Sequence, residues 1–212
     1  MNICLGTRPL LLVVCLLATQ LFAVDRTGTL KAAGASDEVK SAVEAQGYHV
    51  TLDDGASADF WFARSLATSS TNTAGVLYPD LANGEFVGVV SFPKGTTDFR
   101  GQAIAAGTYT LRYQYIPQDA NHMGVSPNPD FLLAVPIASD SNPADNMPFK
   151  RLMALSTKAA GTSHPAVFAM APAGTSDSVA KDDQGMTVLT VEVRTSADKT
   201  QKIGIIVKGQ AA

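Results

Sequence analysis

Cysteine is almost missing from this chain of 212 residues: there are two, Cys4 and Cys15, both in an apolar N-terminal stretch. Residues 24–212 contain none. A disulfide framework, thiol catalysis and cysteine-ligated zinc or iron–sulfur chemistry are therefore closed to that part, which must hold together by its core alone. Basic runs are missing too. Lys and Arg number 16 against 19 Asp and Glu, for a formal charge of −3, and no cationic stripe offers a nucleic-acid groove or a grip on an anionic membrane. No long apolar run follows the N terminus, so the sequence predicts no membrane span after residue 23. No internal repeat or linker divides the chain, and its length suits one domain.

What is present begins with a leader. Arg8 is the sole charge before Asp25. The apolar run Leu10–Ala18 follows, far short of the ~20 residues of a bilayer span, and Leu21-Phe22-Ala23 places a small residue at a cleavage position. This order predicts a secretory signal peptide over 1–23 and a periplasmic or secreted bacterial protein of residues 24–212.

Alternation then dominates. Strands are expected at 48–52, 58–64, 86–92, 107–115, 131–135, 166–170, 186–194 and 203–208, with turns at Asp53-Asp54-Gly55 and Asp182-Asp183-Gln184-Gly185. Gly88 inside its strand marks a bulge or a close backbone approach. In Gly107–Tyr115, residues Tyr109, Leu111, Tyr113 and Tyr115 share one face and Thr110, Arg112 and Gln114 the other, which predicts a buried face and a wet one. Two short helices are expected. One, over 36–46, has Ser36 as its cap and Asp37 and Glu38 in its first turn. The other has Asn146 as cap, Pro148 just inside and Gly161 at its end. The fold class that follows is mostly β, an antiparallel β-sandwich of about eight strands with two short helices.

The stretches Val87-Gly88-Val89-Val90-Ser91-Phe92, Asp98-Phe99-Arg100-Gly101-Gln102, Ala106 to Tyr113 and Gln118 to Val125, running into Asp130-Phe131-Leu132-Leu133, resemble a group of uncharacterised exported bacterial proteins expected to be β-sandwiches. The resemblance is sharpest over 84–140. It implies export and a β fold, and it carries no activity.

Site candidates gather in one loop. Asp119, Asn121, Gly124 and Asp130 fall at positions one, three, six and twelve of a calcium-loop spacing, but Met123 takes position five and the flanks read as strands. Turn-forming Asp and Asn side chains bonded to nearby backbone are the plainer account. His122 beside Met123 has copper-ligand chemistry without a methionine cluster. The three histidines, His49, His122 and His164, carry no zinc spacing. No Gly-x-Ser-x-Gly elbow is present. Trp61, Tyr113 and Tyr115 suit a core better than a sugar platform. Arg112, on the face opposite the tyrosines, has the chemistry to take a carboxylate or another anion beside this loop.

The sequence therefore predicts a non-catalytic extracytoplasmic domain without a cofactor. It would bind a small molecule, a glycan or an envelope protein through Arg112, Asp119, Asn121, His122 and Asp130. The alternative is a metal-dependent hydrolase or metal-binding protein centred on 119–130.

Overall fold

The computed structural model describes residues 21–22, 24–52, 54–69, 75–116, 128–174, 177–196 and 198–209. Its strands are β1 (Leu21–Phe22), β2 (Val24–Thr27), β3 (Gly47–Thr51), β4 (Ser57–Phe62), β5 (Phe86–Phe92), β6 (Thr96–Thr97), β7 (Ala103–Ile104), β8 (Gly107–Tyr115), β9 (Asp130–Pro136), β10 (Val167–Ala171), β11 (Ser178–Lys181), β12 (Thr187–Arg194) and β13 (Thr200–Lys208). Two α-helices, α1 (Asp37–Ala42) and α2 (Phe149–Ala160), complete it with one 3-10 turn at Ile137–Ser139.

All eight expected strands are present, and the fold is mostly β and antiparallel with two α-helices, but it is not an eight-stranded sandwich. Eleven strand segments form one ladder in the order β1-β11-β12-β13-β10-β9-β8-β5-β4-β3-β2. Two stretches of chain bend that ladder towards a barrel. In β10, residues 167–169 pair with β9 while Met170 and Ala171 pair with β13. At the other corner, Leu21–Phe22 pair with β11 while Val24–Thr27 pair with β3. The ladder's first and last members are thus neighbours in sequence, and counting them together gives ten strands in a nearly barrel-like sheet. β1 lies inside the span that the leader reading removes.

The interior follows from alternation. Phe60, Val89, Leu111 and Leu132 meet Val179, Leu189, Ile203 and Ile205 in one cluster, and the Phe92 ring stacks on Phe168 at 5.6 Å. The outer faces are covered as well. Leu152 of α2 packs on Phe131, Leu133 and Val135 of β9, so β9 is apolar on both sides, as a doubly covered strand must be. β8 is covered likewise: Thr110, Arg112 and Gln114 are as buried as Tyr109, Leu111 and Tyr113. The expected wet face of this strand does not exist.

Local signals set the element ends. Ser36 Oγ accepts from Val39 N–H at 3.0 Å, capping α1 as expected, and donates to the Ser141 carbonyl at 2.6 Å. The helix stops at Ala42 because Val43 is extended and bridges to Ala63. α2 begins after Pro148, with no side-chain cap, so Asn146 does not cap it; Gly161 ends it in the left-handed conformation (φ 63°). Gly88 sits at a bulge: Phe86 pairs with Arg112 and Gly88 with Leu111, so β5 advances two residues against one of β8.

Candidate functional site

The structure separates the sequence candidates. Asp119, Asn121 and His122 lie outside the described residues. Asp130 opens β9 with no exposed surface. Its Oδ2 accepts from Leu77 N–H at 2.8 Å, and its Oδ1 accepts from Tyr78 N–H at 3.0 Å and the Tyr113 hydroxyl at 2.7 Å. Three donors on one buried carboxylate make it an anchor for the 77–78 backbone and leave it unsuited to close a calcium loop. Among the described residues, no group of three or more His, Cys, Asp or Glu is placed to hold a metal ion.

Arg112 stands on the outer face of β8 as alternation requires, but it is not a surface arginine: 1% of it is exposed. Its Nε and Nη2 donate to the two oxygens of Asp140 at 2.8 and 2.7 Å, a bidentate pair. Nη2 also donates to the Asn142 carbonyl at 2.8 Å, and Nη1 faces the carbonyls of Gly84, Pro143 and Asp145 at 3.0–3.1 Å. All five N–H donors of a guanidinium are thereby engaged within the protein. Arg112 therefore has no donor left for an anionic ligand. It ties the chain entering β5 to the loop 140–146.

Those tied segments are two walls of a cleft of about 540 Å³. One wall is 82–86, the other is 143–146, and the side is closed by Ala63, Ser65 and Ala67 with Ala42 and Ser196. This volume falls within the range of small-molecule sites. The third wall is fixed by backbone bonds. Ala63 N–H donates to the Val87 carbonyl at 2.9 Å, and Leu66 N–H to the Arg194 carbonyl at 2.9 Å. Gly84 forms the lip in a left-handed conformation (φ 87°), and a Cβ there would meet Asn146 Oδ1 at 2.9 Å.

Glu85 is a cleft carboxyl with no ion-pair partner among the described residues. Backbone bonds to β8 hold it: Tyr113 N–H donates to its carbonyl at 2.8 Å. Its Oε1 accepts from Ala67 N–H at 2.7 Å, and Oε2 has no hydrogen-bond partner among the described residues. Desolvation pushes its pKa above the usual carboxylate range, and neither the Ala67 bond nor the nearby Arg112 charge offsets this. Asp145, the other lining carboxylate, is paired with Arg151 at 3.6 Å. The cleft lining includes serines but, among the described residues, no histidine to activate one.

The remaining histidines are elsewhere. His49 Nδ1 bonds Asp59 Oδ1 across β3 and β4 at 2.6 Å. Ser91 lies opposite Asp59 rather than opposite His49, so these three are not in nucleophile–base–acid order. His164 lies in the turn before β10, where its N–H bonds Thr162 Oγ1 at 3.1 Å. Trp61 and Tyr113 are core, as their neighbours predicted.

Sequence reasoning passed over Glu85. It follows an Asn-Gly pair and precedes a strand, which reads as an ordinary turn acid. Only the convergence of 63–67 and 143–146 around it takes it from water. Comparison of the chain with family models, with curated proteins and with solved structures finds no match.

Proposed function

We propose that this chain is an exported, non-catalytic binding domain that takes a small molecule in the cleft between 82–86 and 143–146. One observation carries the reading. A half-buried carboxyl, Glu85, stands in a preformed concavity with a pKa raised by desolvation and one oxygen unpartnered among the described residues. Leaving a carboxyl so placed costs stability, and groups with perturbed titration in clefts are candidates for recognition. Arg112 and Asp140 bind the walls together from beneath, which supports the preorganisation a binding site needs. The leader-like start and the resemblance over 84–140 support an extracytoplasmic setting in a bacterium. The lack of an activated nucleophile among the described lining residues supports binding over catalysis.

The test is a thermal-shift screen of small amines, alcohols, sugars and carboxylates against the wild type and Ala144→Trp. Residue 144 is exposed at the lip, so the indole fills the cleft without disturbing the core. At least one class of compound should raise the melting temperature of the wild type and leave the blocked variant unmoved. The same shifts in both proteins would put binding elsewhere and overturn the assignment.

A further inference from the structure

The charges around the cleft decide what kind of molecule it takes. Asp140 answers Arg112 with a bidentate pair in which both side chains are about 1% exposed. Arg151 answers Asp145 from outside the cleft. The negative charge of Glu85 has no such answer among the described residues. An anionic ligand would meet an unpaired carboxylate and find no free N–H donor on Arg112. A neutral ligand would gain burial of its body and a hydrogen bond at Oε2 but would leave the carboxylate charge unanswered.

Beside polar side chains that include Ser65, Asn83, Asn146 and Ser196, the lining carries a run of small and apolar residues. Ala63, Ala67, Ala82 and Ala144 are joined by Phe86 and Pro143. Such walls accept a hydrocarbon body and offer it burial at ~25 cal/mol per Å². An ammonium group set against Glu85 at the end of that body supplies N–H donors to Oε2 and the countercharge the site lacks, in a setting screened more weakly than water.

We infer that the ligand is an organic ammonium ion with an apolar body of a few carbons, held by Glu85 at its charged end and by the alanine-lined walls along its length. This rests on the cleft being the binding site. A free amine and the side chain of a lysine in a peptide share the chemistry, and the walls are open enough to solvent for either to be tried.

Binding is measured by calorimetry on the purified protein with butylammonium and benzylammonium, with benzyl alcohol and benzoate as neutral and anionic counterparts, and with an acetylated, amidated tripeptide containing one lysine. The ammonium ions should bind at least tenfold more tightly than benzyl alcohol, and benzoate should not bind. Glu85→Gln should weaken ammonium binding at least tenfold while the protein melts no lower than the wild type, because the amide oxygen still accepts from Ala67 N–H. Tighter binding of the tripeptide than of the free amines would make the source a lysine side chain, and the reverse a free amine. Benzyl alcohol or benzoate binding as well as benzylammonium would overturn the ammonium assignment, as would unchanged ammonium affinity in Glu85→Gln or no ammonium binding at all. In each case the cleft itself stands if Ala144→Trp still removes whatever binding is seen. Ammonium binding that survives Ala144→Trp sinks the cleft instead.

Discussion

Arg112 shows how one residue can be placed correctly by its sequence and still be misread. Alternation puts it opposite Tyr113, and there it is. What alternation lacks is the loop 140–146, some thirty residues on, which folds over the guanidinium and, with the Gly84 carbonyl, takes every donor. Removing one member of such a buried pair strands the other. Arg112→Met should therefore lower stability by about 3–5 kcal/mol, read from urea denaturation, with Asp140 left uncompensated and the Gly84, Pro143 and Asp145 carbonyls losing their guanidinium donor. A loss under about 1 kcal/mol, the worth of a surface pair, would contradict this account. Glu85 behaves in the opposite sense. Its folded-state pKa lies above its unfolded one, so its neutral form favours the fold and its ionised form opposes it. That stabilisation is complete below the unfolded value of about 4.3 and is lost as pH rises through the folded value. Glu85→Gln should accordingly melt higher than the wild type at pH 7, with the difference closing as pH falls towards 4. Melting curves across that range check it, and a gap that widened in acid would reverse the sign of the argument.

Among the elements, β5 is the one on which the cleft depends. Its bulge at Gly88 changes the register against β8 and sets how the chain leads back through Phe86 to Glu85. Two independent facts require glycine there: φ is 156°, and an added Cβ would collide with the Trp61 carbonyl oxygen of β4. Gly88→Ala should cost about 1–3 kcal/mol from the backbone conformation alone, and more if β4 cannot shift. Chemical denaturation measures the cost, and an unaltered midpoint would mean the bulge is not needed. The short helix α1 makes a related point. Ser36 caps it and also bonds the Ser141 carbonyl, so a local signal readable in sequence doubles as a tertiary tie to the loop that Arg112 holds. Elements missed at the sequence level are the short ones. β2, β6, β7 and β11 are two to four residues long, too brief for alternation to stand out from ordinary loop composition.

At the scale of the whole molecule, the two corners decide the shape. At the β10 corner a chain of hydrogen bonds runs through the apolar packing. The Tyr78 hydroxyl donates to the Ala171 carbonyl at 2.6 Å and accepts from Gly204 N–H at 2.8 Å, while Tyr113 donates to Asp130. Burial pushes the Tyr78 phenol up to about 12, and burial and the Asp130 carboxylate push Tyr113 upward as well. These neutral phenols stabilise the fold up to the unfolded value near 10, and the Tyr78 contribution is lost as pH rises from there towards 12. Phenolate absorbance from these tyrosines should thus appear together with the loss of circular dichroism. Full phenolate formation in a still-folded protein would show the corner to be looser than described. The other corner depends on the N terminus. If the leader is cut after Ala23, β1 leaves with it and β11 becomes an outer edge. Hydrogen exchange on the exported protein should then be faster at Ser178–Lys181 than in the central strands β8 and β9, whereas equal protection would argue for a cut upstream of Leu21.

Local chemistry along the chain sets the β character, the eight longer strands, the Ser36 cap, the Gly161 stop and the special place of Gly88. Each rests on contacts or conformations within a few residues, where period and side-chain type act directly. Tertiary structure alone decided that the ladder bends nearly into a barrel, that both faces of β8 are covered, and that Arg112 and Asp130 serve as anchors. It alone also decided that Glu85 stands in a cleft. Burial is set by segments distant in sequence, and the chemistry of an ionisable group depends on what those segments take away from it: water, counterions and free hydrogen-bond partners.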